Sequence, residues 1–211
     1  YSVNLTGDSR IALGAAQRIR FQLRGTLRLT DAPDQKVIGR LEQPEVTLWQ
    51  EDKINPSESK KLERALASPF VMQKSTNGTI ATIAFSPESP EGARQALCAL
   101  LAFYQVSTKQ STRETDLAGS CEVAYSPKAK NTWEKRIVRY IPVPDAMTEH
   151  QPAGIQTVTF DPAGSVDTIL GTRTVKTLLG SREVAVSTLT GSIRQTRRSA
   201  VHKQTTTSAF G

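Results

Sequence analysis

The feature that most constrains the fold of this chain is an apolar run at residues 93–106, with the sequence ARQALCALLAFYQV. As a helix, this run would be apolar on nearly every face, and such a helix has to be buried all round. It is too short to span a bilayer as a helix. Because the segments before and after it have strand-like patterns, we predict a sheet that wraps around a central helix.

The clearest strand lies at residues 18–30, RIRFQLRGTLRLT, where apolar and polar residues alternate. This period of two is typical of a long, half-buried strand. Arg18, Arg20, Arg24 and Arg28 then share its polar face. Similar reasoning predicts further strands at residues 1–5, 37–41, 44–49, 69–73, 79–85, 119–125, 133–141, 154–160, 165–179 and 182–194.

Two helices are expected between these strands. The shorter begins at Pro56, carries Leu62 and Leu66 four positions apart, and ends before Pro69. For the central helix, Ser89 is the predicted N-cap, and the helix continues to about residue 105. Residues 109–117 read as a polar connection and residues 142–152, with three prolines, as a loop. We expect one module over residues 1–200 and a flexible tail at 201–211.

The net charge of +7 is concentrated near the end of the sequence. Residues 171–211 contain seven Arg and Lys and only one acidic residue, Glu183. A basic segment of this kind is compatible with an anionic lipid, an acidic protein or nucleic acid as partner, and equally with a solvated surface. Nucleic acid is the weakest of these, because Phe210 is the segment's one aromatic residue and no nucleic-acid motif is present.

The sequence contains no pattern typical of catalysis or of metal binding. His150 and His202 are far apart, and the two cysteines, Cys98 and Cys121, do not form a CxxC motif. No nucleophile elbow, phosphate loop or paired-carboxylate pattern occurs, so we predict neither an enzyme nor a cofactor. From the residues alone, the two cysteines fit either a disulfide or two reduced core thiols. No apolar run reaches 18 residues, so no transmembrane helix is expected.

The order of these segments resembles a known family. A short helix leads into a strand (LERALASPFVMQ), the strand GTIATIAF follows, and the cysteine-containing helix ALCALLAFYQV precedes DLAGSCEVAY. This order is similar to that of the N-terminal lipovitellin-like module of large lipid transfer proteins, which include vitellogenins, apolipoprotein B and the microsomal triglyceride transfer protein. The resemblance covers roughly residues 1–140. The matching positions are Gly78, Ile80, Cys98, Gly119, Cys121 and Tyr125.

The resemblance implies a mostly β fold: a large antiparallel β-barrel or strongly curved sheet around one buried central helix, plus a short second helix. It also implies a Cys98–Cys121 disulfide and a secreted protein, or one in another oxidising compartment such as the ER lumen or the periplasm. The sequence departs from the family pattern at Ala99 and Leu100, where a basic residue and glycine are usual. It also has no third cysteine and lacks the long helical domain that follows in the family.

The function that the resemblance implies is non-catalytic. The module would seat the lipid-carrying part of a larger chain, with phospholipid or neutral lipid as cargo, and would dock an acidic receptor or partner through basic strand faces. The expected docking residues are Arg18, Arg20, Arg24, Arg28, Arg194, Arg197 and Arg198. The alternative is a stand-alone secreted or envelope structural or adhesion protein that uses the same barrel without lipid.

Overall fold

A computed structural model describes residues 1–76, 79–107 and 110–196 of the chain. Within them lie two helices, α1 (Pro56–Leu66) and α2 (Glu91–Tyr104). The strands are β1 (Ser2–Ile11), β2 (Gln17–Ala32), β3 (Lys36–Gln50), β4 (Lys53–Ile54), β5 (Phe70–Lys74), β6 (Ile80–Ala84), β7 (Ser111–Asp116), β8 (Gly119–Ala129), β9 (Thr132–Tyr140), β10 (Thr148–Ala153), β11 (Gln156–Phe160), β12 (Val166–Leu179) and β13 (Arg182–Arg194).

The described strands belong to one antiparallel sheet. Its order is β6-β5-β3-β2-β1-β13-β12-β11-β9-β8-β7, with β4 added beside β3 and β10 beside β12. The sheet curls until its two end strands, β6 and β7, touch each other, so that eleven strands make a nearly closed barrel. The predicted mostly β fold is therefore confirmed.

The second half of α2 fills the interior of this barrel. Leu100, Leu101 and Phe103 are fully buried, and they pack against inward-facing side chains of β1, β2, β3, β5, β11, β12 and β13. Gln95, nearer the start of the helix, is exposed. The structure thus confirms a buried central helix. The barrel encloses the last two turns of this helix.

The short helix α1 begins and ends where the sequence predicts. The side chain of Asn55 accepts a hydrogen bond from the Glu58 backbone N–H at 3.2 Å, and Pro56 occupies the first turn. Two side chains of α1 also accept hydrogen bonds from the backbone of β3. Val46 N–H donates to Glu63 Oε1 at 3.0 Å, and Leu48 N–H donates to Ser59 Oγ at 3.0 Å. α1 therefore covers part of the edge of β3 that no described strand pairs.

Four local predictions were wrong. Pro90, and not Ser89, is the N-cap of α2, because its extended backbone (ψ 148°) precedes the first helical residue and no side chain caps the helix. The predicted connection at 109–117 contains β7, and the predicted loop at 142–152 contains β10. The two strands predicted at 37–41 and 44–49 are one strand, β3, with an irregularity at Gln43, whose φ is 48°.

Candidate functional site: a buried polar cluster and a cavity beside α2

The end of α2 lies inside the barrel, where its last carbonyl groups have no helical partner and no bulk water. Three inward-facing side chains supply the missing donors. Arg173 Nη1 of β12 donates to the Ala102 carbonyl at 2.9 Å, and Gln156 Nε2 of β11 donates to the Phe103 carbonyl at 3.1 Å. Lys135 Nζ of β9 donates to the Gln105 carbonyl at 2.5 Å. Two of these donors are cations, which the negative end of a helix dipole favours.

Two carboxylates on β7 balance the two cations. Lys135 Nζ lies 2.8 Å from Glu114 Oε2, and Arg173 Nη2 lies 2.5 Å from Asp116 Oδ2. All four side chains are at most 7% exposed. Burial lowers the pKa of Lys135, and the nearby Glu114 carboxylate opposes that shift. The cluster therefore has no net charge, which is what a barrel interior tolerates.

Two buried tyrosines donate further hydrogen bonds to these carboxylates. Tyr125 Oη donates to Glu114 Oε1 at 2.8 Å and accepts from the Ser107 backbone N–H at 3.1 Å. Tyr140 Oη donates to Asp116 Oδ2 at 2.6 Å. Burial is the main reason that the pKa of each tyrosine is raised, so both remain neutral donors.

Asp116 also shapes the turn between β7 and β8. Its Oδ1 accepts hydrogen bonds from the backbone N–H groups of Ala118 (2.8 Å) and Gly119 (3.1 Å). Gly119 has a φ of 124°, a conformation that L side chains rarely adopt. The spacing of Asp, Gly, Cys and Tyr in DLAGSCEVAY thus has a structural cause: a turn, followed by a strand whose tyrosine reaches back to β7.

Gln105, just after α2, connects the two end strands of the sheet. Its Oε1 accepts from the Ile80 N–H of β6 at 3.2 Å, and its Nε2 donates to the Thr115 carbonyl of β7 at 2.9 Å. Only 3% of Gln105 is exposed. One amide side chain therefore bridges the place where the barrel is nearly closed.

The structure leaves Cys98 and Cys121 unbonded, so the disulfide that the family resemblance implied is not formed. Cys121 belongs to the polar cluster: its Sγ lies 3.6 Å from the Glu114 carbonyl and 3.7 Å from Arg173 Nη2. Burial raises its pKa to about 11. Cys98 is half-buried on α2, and burial raises its pKa too. Both residues are therefore protonated thiols at neutral pH.

Beside this cluster, α2 leaves part of the barrel unfilled. A cavity of about 290 Å³ lies between the helix and strands β1, β2, β12 and β13. Its apolar walls are formed by Phe21, Ala99, Ala102, Val175 and Leu189, and Asp116 and Arg173 lie at one side. The Phe21 ring occupies the space beside Gly7, where an added Cβ would come within 2.1 Å of it.

Further polar side chains line this cavity, among them two hydrogen-bonded pairs. Ser9 Oγ donates to Ser187 Oγ at 2.9 Å, and His150 Nδ1 lies 3.2 Å from Thr177 Oγ1. The His150 ring also meets the Tyr140 ring edge to face, at a centroid distance of 5.6 Å. The cavity thus combines apolar walls with a group of hydroxyls and an imidazole.

The predicted basic strand face is on the outside of the barrel, but most of its charge is neutralised. Arg18 Nη2 lies 2.7 Å from Asp8 Oδ2. Arg20 Nη2 lies 2.7 Å from Asp52 Oδ1, and its guanidinium lies 5.5 Å from the Trp49 ring centroid. Arg28 Nε is paired with Glu42 Oε1 at 3.2 Å. The hydrogen bond from Arg18 holds the pKa of the Asp8 carboxyl below its usual value.

The remaining residues of the predicted docking set are Arg24, Arg194, Arg197 and Arg198. Arg24 and Arg194 are exposed, and neither makes an ion pair with a carboxylate of the described chain. They flank β1, where Arg24 pairs with Asn4 and Arg194 with Ser2. Arg197 and Arg198 lie outside the described residues, as does the predicted tail at 201–211.

Sequence reasoning missed the buried cluster, although a signal for it exists. In β12, Arg173 has the same phase as the buried Ile169 and as Val175, and in β9 Lys135 has the same phase as Trp133. A charged residue in the apolar phase of a strand indicates an inward-facing charge that needs a buried partner.

The sequence and the structure were compared with known proteins. No protein-family model matches the sequence, and no curated protein matches it. Among solved structures, the chain matches a lipovitellin structure described as "Lipid-protein interactions in lipovitellin", with a TM-score of 0.62 and 12% sequence identity. The fold is lipovitellin-like. The match covers 93% of this chain and 25% of the lipovitellin chain, so the chain spans about a quarter of that protein's length.

In the described part of the chain, no helix has the length and apolar character needed to cross a membrane. The same residues contain no group of three or more His, Cys, Asp or Glu arranged to hold a metal ion.

Proposed function

We propose that this chain is a non-catalytic module of a lipid-transport protein, which seats a lipid-carrying part and docks a partner. The likeness to lipovitellin carries the proposal, because it extends over 93% of the chain at a TM-score of 0.62. The likeness and the family resemblance together also support a secretory setting.

For the docking role, the geometry favours Arg24 and Arg194 over the rest of the predicted set. Both guanidinium groups are exposed on the outer face on either side of β1 and have no carboxylate partner among the described residues, whereas Arg18, Arg20 and Arg28 each have one. An unpaired guanidinium can bind a partner's carboxylate in a bidentate manner without first breaking an existing ion pair. We therefore assign an acidic protein surface to this face.

The lipid role is tested by flotation. The purified chain is mixed with phosphatidylcholine vesicles and, separately, with a triolein–phosphatidylcholine emulsion, then centrifuged through a density gradient at physiological ionic strength. We expect the chain to float with at least one of these particles, and organic extraction of the purified chain to release lipid. A chain that neither floats nor contains lipid would contradict the lipid-transport proposal.

The docking role is tested with a model acidic partner, poly-glutamate. We expect binding that weakens with added salt and that is lost in the double variant Arg24→Glu/Arg194→Glu. The charge-matched control is Arg136→Glu/Arg182→Glu, which changes two other exposed arginines outside the predicted docking set. Equal loss in both double variants would mean that net charge, and not this face, decides binding. A lipid-free chain that still binds through Arg24 and Arg194 would favour the adhesion alternative.

A further inference from the structure

We propose that the cavity beside α2 is a binding site for an amphiphile with one acyl chain and a small hydroxyl or carboxyl head. The site itself is inferred from the cavity, and the choice of a lipid ligand rests on the proposed function.

The size of the cavity selects a single chain. Its volume of about 290 Å³ corresponds to roughly ten water volumes, at the lower end of the range for small-ligand pockets. A diacyl phospholipid does not fit into this space, but one medium-length acyl chain does. Phe21, Val175 and Leu189 supply an apolar wall, and Ala99 and Ala102 keep the facing surface of α2 flat. Burying the chain there is favourable because it removes apolar surface from water.

The polar side chains lie towards one end of the cavity, which the strand register identifies. Ser9 pairs with Ser187, two positions nearer to the hairpin between β12 and β13 than Gly7, which pairs with Leu189. Thr177, the partner of His150, lies still nearer to that hairpin. Hydroxyls and an imidazole both donate and accept hydrogen bonds. A carboxyl or hydroxyl head can therefore bind at this end while the chain extends inward.

The same end of the cavity is open to solvent. Ser187 has the inward phase of β13, in line with Leu189, yet it is exposed. Five exposed apolar side chains occur on segments at or near this end of the barrel. They are Leu13 (57% exposed), Leu117 (59%), Val143 (65%), Met147 (83%) and Leu179 (42%).

The backbone places four of these positions near the mouth. Leu117 lines the cavity, and Leu179 pairs with Thr148, the residue after Met147. Leu13 follows Ala12, whose N–H donates to the Val184 carbonyl at 2.8 Å. An apolar rim around an open mouth is suited to a ligand that leaves a lipid surface, because the chain then crosses little water.

The deep side of the cavity adds no charge preference. Arg173 and Asp116 neutralise each other, and the guanidinium is already held by the Ala102 carbonyl. Recognition of the head is therefore left to the hydroxyls and the imidazole at the mouth, and we expect an uncharged alcohol to bind as well as a carboxylic acid does.

The test is isothermal titration calorimetry of the whole chain with decanoic acid and with decanol, each below the concentration at which it aggregates. We expect saturable binding of a single equivalent. Ala99→Phe fills the cavity and Ser187→Phe blocks its mouth, and each should weaken binding by at least about tenfold. The matched control is Ala129→Phe, which places the same ring on an exposed residue of β8, away from the cavity.

Ser187→Phe keeps the test decisive if Ala99→Phe does not fold, because Ser187 is exposed and its replacement removes only the hydrogen bond with Ser9 Oγ. Absence of saturable binding of both probes to the wild type, or equal affinity in the folded filled variants and the control, would overturn the proposal. Vesicle flotation without decanoic acid or decanol binding would reject this site and leave the lipid-transport proposal standing. Binding of these probes by a chain that neither floats nor contains extractable lipid would keep this site and reject the lipid-transport proposal.

Discussion

Replacing Arg173 by methionine tests whether the buried cluster holds the end of α2 in place. The change removes the donor to the Ala102 carbonyl, 2.9 Å away, and the cation beside Asp116 Oδ2, 2.5 Å away. Breaking a buried ion pair while leaving one charge behind costs about 3–5 kcal/mol. Asp116 keeps its hydrogen bonds from Ala118, Gly119 and Tyr140, so we expect a loss near 3 kcal/mol.

Urea unfolding followed by circular dichroism measures this loss as a lower midpoint with an unchanged m-value. The matched control is Arg194→Met, an exposed position on β13, which should change the free energy of unfolding by no more than about 0.5 kcal/mol. Adding Asp116→Asn to Arg173→Met should recover part of the loss, because no unpaired charge then remains. If Arg173→Met costs no more than the control, the cluster does not anchor the helix and the reasoning is wrong.

Three further predictions concern the core, an outer ion pair and the thiols. Leu100→Ala, at a fully buried position of α2, should lower the free energy of unfolding by about 2–5 kcal/mol in urea titrations. Because Arg18 lowers the pKa of Asp8 below 3.8, their pair stabilises the fold above that pH and loses this contribution in acid. The difference in melting temperature between the wild type and Asp8→Asn should accordingly shrink on acidification, and a constant difference would contradict the assignment. Iodoacetamide at neutral pH should label half-buried Cys98 before buried Cys121, whose pKa is about 11, and both should react after unfolding without reductant. A non-reduced mass two hydrogens lower would show that a disulfide exists after all.

The sequence correctly predicts those parts of the fold in which buried and exposed residues follow the pattern of apolar and polar residues along the chain. The alternation at residues 18–30 is that of β2, whose Leu23 and Leu27 are buried, while Arg24 and Arg28 face outward. The apolar run around Leu100 is likewise enclosed. In β2, apolar side chains face inward and the arginines face outward, and in α2 the most apolar stretch is the one enclosed, so residue type identifies the buried positions.

β7 was missed because it breaks that rule. Its sequence, STRETD, contains no apolar residue, yet Thr112 and Glu114 alternate inward and are buried. The strand is held by pairing with β8 and by the ion pair between Glu114 and Lys135, which lies far along the sequence. A pattern within one segment cannot reveal a partner on another strand, and the buried cluster was missed for the same reason.

The cysteines show the limit of reasoning by family resemblance. Gly119, Cys121 and Tyr125 occupy the expected positions, and their local roles in the turn and in β8 are visible. The pairing of Cys121 with Cys98, however, was carried over from the family and is not formed here. The thiol of Cys121 instead lies beside Arg173 and the Glu114 carbonyl.

The position of β1 in the sheet has a consequence for synthesis. Ser2 pairs with Arg194 and Ile11 with Ala185. The pairing of β1 with β13 therefore cannot form until β13, the last described strand, has been synthesised. At a translation rate of about 5–20 residues per second, the ribosome needs roughly 10–40 s to add the intervening residues. During that time the side of β1 that will join β13 has no partner, and Val3 and Leu5 lack part of the core that later buries them. The open edge of β1 can then pair with another nascent chain, and we expect a chaperone that shields β1 and β2 until β13 emerges to raise the yield of folded product.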